Sequence, residues 1–319
     1  MERPDDHRRT LTMSRLSSSR ALAHACAAGL LLSVATASAQ ELEPRTYSPS
    51  PVGTNFVVFS YAYLTGNVLT DPSLPVTNVQ ARINTFSLGY EHTFGLAGHS
   101  ASMAFGIPYT RGSLSGNVID APTEIYRSGM GDLRLRFAFN LVGGPALSPE
   151  EFSRSPPTTS IGLSLTMSAP TGQYVPSRLV NIGTNRWAFK PEIGFSQPVG
   201  NWFFEATTGT WFFTTNNDFF RGHERSQDPL LTFQLHGGYS FGPGFWISAD
   251  IGYAAGGGTS LNGVPDEDRQ SNMRYGFTLS VPLARSWSAK LALSNGFITR
   301  AGGNYKEISL TLQYHWFNR

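Results

Sequence analysis

From Asn55 onward the chain reads as an all-β protein, an antiparallel up-and-down transmembrane β-barrel of about twelve strands. Three observations carry this reading. Stretches of near-strict apolar/polar alternation follow one another, their connections are alternately short and long, and the last of them ends in aromatics. Side chains two apart share a face of a strand, so Leu231, Phe233, Leu235, Tyr239 and Phe241 point one way, against Thr232, Gln234, His236 and Ser240. A single closed sheet that is apolar outside and polar inside has only lipid to face.

The strands are expected near 55–64, 83–94, 100–109, 132–142, 159–169 and 187–197, then 202–213, 230–241, 245–255, 273–282, 286–294 and 305–317. Gly95–His99, Val199–Asn201, Gly242–Gly244 and Leu283–Arg285 make tight turns, and Gly143–Pro157 is a longer member of the same set. The opposite connections, around 65–82, 110–131, 171–186, 214–229, 256–272 and 295–304, are longer and richer in Asn, Gly, Pro and charge. Short turns face the periplasm and long loops the exterior in outer-membrane barrels, so an even strand count puts both ends of the barrel in the periplasm. In the last strand Ile308, Leu310, Leu312, Tyr314 and Trp316 alternate with Ser309, Thr311, Gln313 and His315. This is the kind of stripe that outer-membrane assembly machinery reads, extended here by Asn318 and Arg319.

The N-terminal part supplies an address. Arg15 and Arg20 precede an apolar run from Ala21 to Val34, which ends at Ala37-Ser38-Ala39. Residues 1–39 are therefore expected to be a cleaved secretory leader, with Met13 as an alternative start to Met1. Residues 40–54 are a polar, Pro-rich lead-in expected in the periplasm, and 55–319 the barrel. The only cysteine, Cys26, lies in the leader, which leaves the body without a disulfide or thiolate metal site. The leader also takes five of the 24 basic and three of the 22 acidic residues, so the body is neutral with 19 of each. A neutral body without a basic patch gives nucleic acid no purchase.

If the apolar faces meet lipid, parity lists the interior. Glu91, Asp132, Arg134, Arg136, Lys190, Glu192, Glu205, His236, Asp250, Arg274, Lys290 and Glu307 all point inward, with His315. A basic residue turned to lipid at the midplane costs about 2–4 kcal/mol, which is why their shared parity is informative. They are either ion pairs that fill a narrow barrel or a ladder that lines a water path and sets selectivity. Gly89, Gly106, Gly194 and Gly252 share the inward face and are expected to leave room. Phe137→Arg or Leu235→Arg is expected to impair insertion, and Gln234→Arg to be tolerated. Pro108 and Pro191 lie within strands, where each removes a ladder donor; each marks a bulge or a weakened seam for lateral exit.

Other chemistry is thin. Gly129-Met-Gly-Asp132 lacks the third glycine and the following helix of a phosphate loop. The inward parity of His236 and His315 speaks against a Ser/His esterase on the outer face, and Asp266-Glu-Asp268 reads as a solvated loop triplet, with Ca²⁺ binding the lesser alternative. No enzyme, metal or cofactor is expected.

Leu42–Asn55, Gly129–Asp132, Asn140–Phe152, Ala169–Tyr174, Leu179–Glu192 and Gln227–Leu230 resemble the outer-membrane family called "MetA-pathway of phenol degradation". The resemblance implies a Gram-negative outer-membrane barrel for passive uptake of small hydrophobic or aromatic compounds. The alternative is a non-transporting surface protein whose long loops serve adhesion or envelope structure.

Overall fold

The computed structural model describes residues 42–69, 76–118 and 121–318. The expected leader lies outside them. Twelve antiparallel strands close on themselves: β1 Thr54–Leu69, β2 Val76–Leu96, β3 His99–Val118, β4 Ala121–Met130 continued as Leu133–Val142, β5 Ser160–Ala169 and β6 Ala188–Val199. The circuit continues with β7 Trp202–Phe213, β8 Leu230–Gly242, β9 Phe245–Gly256, β10 Gln270–Ala284, β11 Trp287–Ile298 and β12 Gly302–Phe317. β12 pairs β1 from Thr54↔Phe317 to Leu69↔Gly302, so the sheet has no edge for another chain to extend.

Two-residue turns join β2 to β3, β6 to β7, β8 to β9 and β10 to β11. At Ala97-Gly98 both residues have positive φ, 49° and 82°, the twist that a tight hairpin of this handedness needs. The fifth short-side connection carries a one-and-a-half-turn helix, α1 Pro149–Arg154, capped by Ser148 with Glu151 closing the capping box.

The faces are those the alternation predicts. On β8, Leu231, Phe233 and Leu235 are 45%, 39% and 44% exposed, whereas Thr232, Gln234 and His236 are 3%, 6% and 3% exposed. Near the short turns, Tyr90, Trp316, Tyr314, Trp287, Trp202, Tyr239, Phe241 and Phe245 form contacting aromatic groups, a girdle at the membrane interface. An apolar band of this kind around a closed barrel places the protein in the outer membrane of a Gram-negative cell.

The segment 110–131, expected as a loop, is instead mostly strand. β3 runs on to Val118 and β4 begins at Ala121. This upper hairpin is exposed or half-buried on both faces, without the alternation of a lipid-facing strand, so it needs no apolar stripe and shows none. Strand four therefore starts about a dozen residues early. Outside the wall, Asn216–Phe219, His223–Gln227, Thr259–Leu261 and Val264–Pro265 form a small sheet from two long loops. Asp266 and Asp268 both accept from the Thr259 hydroxyl, at 2.7 and 2.8 Å, which binds that loop to itself.

Candidate functional site

Residues 42–53 do not hang in the periplasm as a lead-in. They run inward from the rim and cross the lumen. Gly53 is fixed at the seam, its N–H donating to Thr93 and its carbonyl accepting from Asn318. Ser50 accepts from the Ser100 hydroxyl of β3 at 3.1 Å. Tyr47 donates to Glu192 of β6 at 2.9 Å and lies 2.8 Å from Ser164 of β5. The Arg45 N–H donates to Glu205 of β7 at 2.6 Å, and the Glu43 N–H to Gln234 of β8 at 3.0 Å. Leu42 ends the crossing against β9 and β10, where a Cβ at Gly252 or Gly276 would lie 2.8 Å from its methyls. The segment is thus a chord, and past the seam its hydrogen-bonding anchors on the wall, Ser100, Ser164, Glu192, Glu205 and Gln234, are side chains with inward parity.

Of the four glycines read as spare room, Gly194 and Gly252 are sockets for the chord, and Gly162 and Gly276 join them. A Cβ at Gly194 or Gly162 would overlap the Tyr47 ring. Burial pushes the Tyr47 hydroxyl above its ordinary range, so it stays a neutral donor to Glu192.

The charged residues named by parity are buried, apart from half-buried Arg134 and Glu307, and most have partners within the barrel. Lys190 and Glu192 pair at 2.9 Å. Arg136 lies over the Tyr47 ring at 5.2 Å. Glu91, buried on β2, shares the 40 Å³ gap beside Tyr47 and Ser50. Glu205 accepts from Ser196 and Ser48 as well as from Arg45. His236 meets Asp250 at 2.8 Å, and Thr278 donates to the same carboxylate. Arg274 donates to Ser294 and the Tyr305 carbonyl, 3.8 Å from Glu307, and Lys290 lies over Trp246 at 5.7 Å. Arg134 stands one turn of the pleat above Arg136, opposite Ser168. Around the chord the charges are docking groups and ion pairs rather than a continuous ring around an empty bore.

Asp132 has a different task. Its carboxylate accepts from the Gly172 N–H at 2.8 Å and from the Thr184 N–H and hydroxyl at 2.9 and 2.6 Å, which pins both ends of the loop between β5 and β6. The Gly-Met-Gly-Asp stretch is a bulge in β4. Residues 131–133 face only Ile107 and Pro108 of β3, and Gly131 packs where a Cβ would lie 2.7 Å from the Pro108 ring. Asp132→Ala should release three bonds to a charged acceptor. We expect faster hydrogen exchange across residues 172–184 by about 2 kcal/mol or more, with barrel strands unchanged.

The two prolines part company here. Pro108 sits where β3 changes partner, from Arg134 on one side of the bulge to Met130 on the other, and its carbonyl accepts from Gly131. It is a bulge residue. At Pro191 the ladder to β5 continues as Leu165↔Pro191, but that to β7 passes from Phe189↔Phe212 to Glu192↔Gly209 without pairs for Lys190 and Pro191. Beside this interruption, Trp211 faces inward with Ala188, Leu230 and Ala254 in a buried apolar cluster, Phe213 packs against it, and Lys190 lies 5.5 Å over the Trp211 ring. The cluster is built from apolar residues with inward parity, a signal that charge in the lumen does not reveal.

The family described as the MetA-pathway of phenol degradation matches residues 48–315. This chain belongs to that family. The match begins at Ser48 inside the chord and ends in β12, so it takes in nearly the whole wall but not Leu42, Glu43, Arg45 or Tyr47. No curated protein matches the sequence. Among solved structures, the COG4313 outer membrane channel from Pseudomonas putida F1 is similar at 22% identity and a TM-score of 0.75, over 86% of this chain and 100% of that one. The β domain of the Bordetella autotransporter BrkA follows at 12% identity and a TM-score of 0.50, over 83% and 100%. At these identities the likeness supports the barrel fold alone.

Proposed function

We propose that the protein is a passive outer-membrane conduit for small hydrophobic or aromatic compounds and carries out no chemistry on them. The observation that carries this is the juxtaposition of an inward apolar cluster at Trp211 with the unpaired stretch of wall at Pro191, above a bore that the chord obstructs. A polar solute meets the chord and its charges. An apolar solute finds a desolvated surface beside Pro191, where the ladder to β7 lacks two pairs, so sideways release into the bilayer is the route that the wall favours. The family match and the likeness to an outer-membrane channel support the reading.

The test uses N-phenyl-1-naphthylamine, an aromatic probe that intact outer leaflets exclude. Cells producing the protein should take it up several-fold faster than a deletion strain. Pro191→Val, which restores the missing N–H, should lower that rate while leaving heat-modifiable gel mobility intact. Equal uptake with and without the protein would sink the conduit and favour a surface protein that transports nothing.

A further inference from the structure

A second cavity, of about 770 Å³, lies between the short turns at the periplasmic end, within the size range of small-molecule sites. Its outer side is apolar, built from Leu147 and Pro157 around α1 with Phe152 of the helix. Its inner wall carries two aromatic rings with a cation over each. Phe203 and Trp246 meet edge to face, 5.8 Å apart at 90°. The Arg45 guanidinium stands 4.6 Å over Phe203, and the Lys290 ammonium 5.7 Å over Trp246.

Two donors in this wall are buried without an acceptor, Nε of Arg45 and Nε1 of Trp246. Buried donors are paired in nearly all native structures, so orphaned donors on two residues that line one cavity call for a reason. Glu205 does not meet the need, because its oxygens take the Arg45 backbone N–H and the Ser48 and Ser196 hydroxyls. The backbone is also held against its preference here. Arg45 has φ +69°, a region that residues with a Cβ rarely occupy, and its charge-assisted bond to Glu205 keeps it there. The strained turn sets Arg45 in the cavity wall, its guanidinium over Phe203.

We propose that this cavity binds an organic carboxylate with an apolar or aromatic body. The carboxylate is received by Arg45 and the Trp246 indole N–H, with Lys290 adding positive potential, and the body lies along Leu147, Phe152 and Pro157. A planar fork suits a carboxylate, and the apolar walls exclude small hydrated anions that have no body to bury. The site rests on the uptake reading for its ligand and adds a preference for charge at the periplasmic end.

The experiment measures equilibrium binding to the purified mature protein in lipid nanodiscs, by calorimetry and by tryptophan fluorescence. The probes are 4-phenylbutyrate and its neutral counterpart 4-phenylbutan-1-ol. The carboxylate should bind about tenfold more tightly, the discrimination expected of a hydrogen bond to a charged group. Arg45→Gln should abolish the preference, Arg45→Lys should retain part of it, and Trp246→Phe should weaken the carboxylate alone. Equal affinities in the wild type, or an undiminished preference in Arg45→Gln, would overturn the proposal. If Arg45→Gln misfolds on a heat-modifiability gel, Trp246→Phe decides in its place. Probe entry into cells without carboxylate preference would refute this site and leave the conduit standing; preference without entry would do the reverse.

Discussion

Deleting residues 42–51 should raise single-channel conductance in planar bilayers several-fold. The expected jump follows from the path of the segment, which bridges β3 to β10 and takes its anchors from Ser100, Glu192, Glu205 and Gln234 on four separate strands. Its removal frees these groups to face water, which solvates them at little cost because they already line a lumen. A point change can do the same locally. Gly194→Val puts a branched side chain where the Tyr47 ring now lies, between Gly194 and Gly162, so the ring must leave its socket. Overpacking of this kind costs roughly 1–3 kcal/mol if the ring stays, against a few hydrogen bonds if it goes. Gly194→Val should thus show flickering openings in an otherwise intact barrel. Unchanged conductance in the deletion would mean that the lumen is closed by something other than the chord.

Leu235→Arg should cost about 2–4 kcal/mol of folding free energy in lipid vesicles, read from urea titrations. Leu235 is exposed on the outside, in register with Ala206 and Ile251 on its two neighbours, so the guanidinium has no partner within the apolar band. Phe137→Arg should behave alike. Its neighbour in sequence gives the contrast. By parity alone Gln234→Arg is harmless, but Gln234 holds the Glu43 N–H. The substitution should leave the barrel's urea midpoint near that of the wild type and loosen the chord, with a gain in conductance. A large loss of stability in Gln234→Arg, equal to that of Leu235→Arg, would show that the two faces are not different solvents.

The wall was legible because lipid on one side and water on the other impose a period of two, and β8 or β12 displays it residue by residue. Where both faces are exposed or half-buried, as in the hairpin between Thr110 and Gly129, the period vanishes and the strand is invisible. The chord was hidden for a related reason. Leu42, Arg45 and Tyr47 belong to no repeating element, and each is recognised by a different distant strand. A trace was present all the same: Gly162, Gly194, Gly252 and Gly276 share the inward face, and glycines facing inward in a row are sockets as readily as they are space. Parity picks out charged residues that the structure buries, but it cannot tell a group that faces water from one that grips a backbone N–H, as Glu205 does.

The root of the chord also orders events in time. Gly53 bonds to Asn318, and the Asn55 amide of β1 reaches Asn318 at 2.8 Å, so the root of the segment sits where β1 and β12 meet to close the circle. Its partners further in are contributed by strands spread over most of the chain, up to 191 residues away. None of these can be collected until the circle stands. The segment is therefore the first part of the barrel region to leave the ribosome and the last to find its place, and a docked Tyr47 is a record that closure is complete.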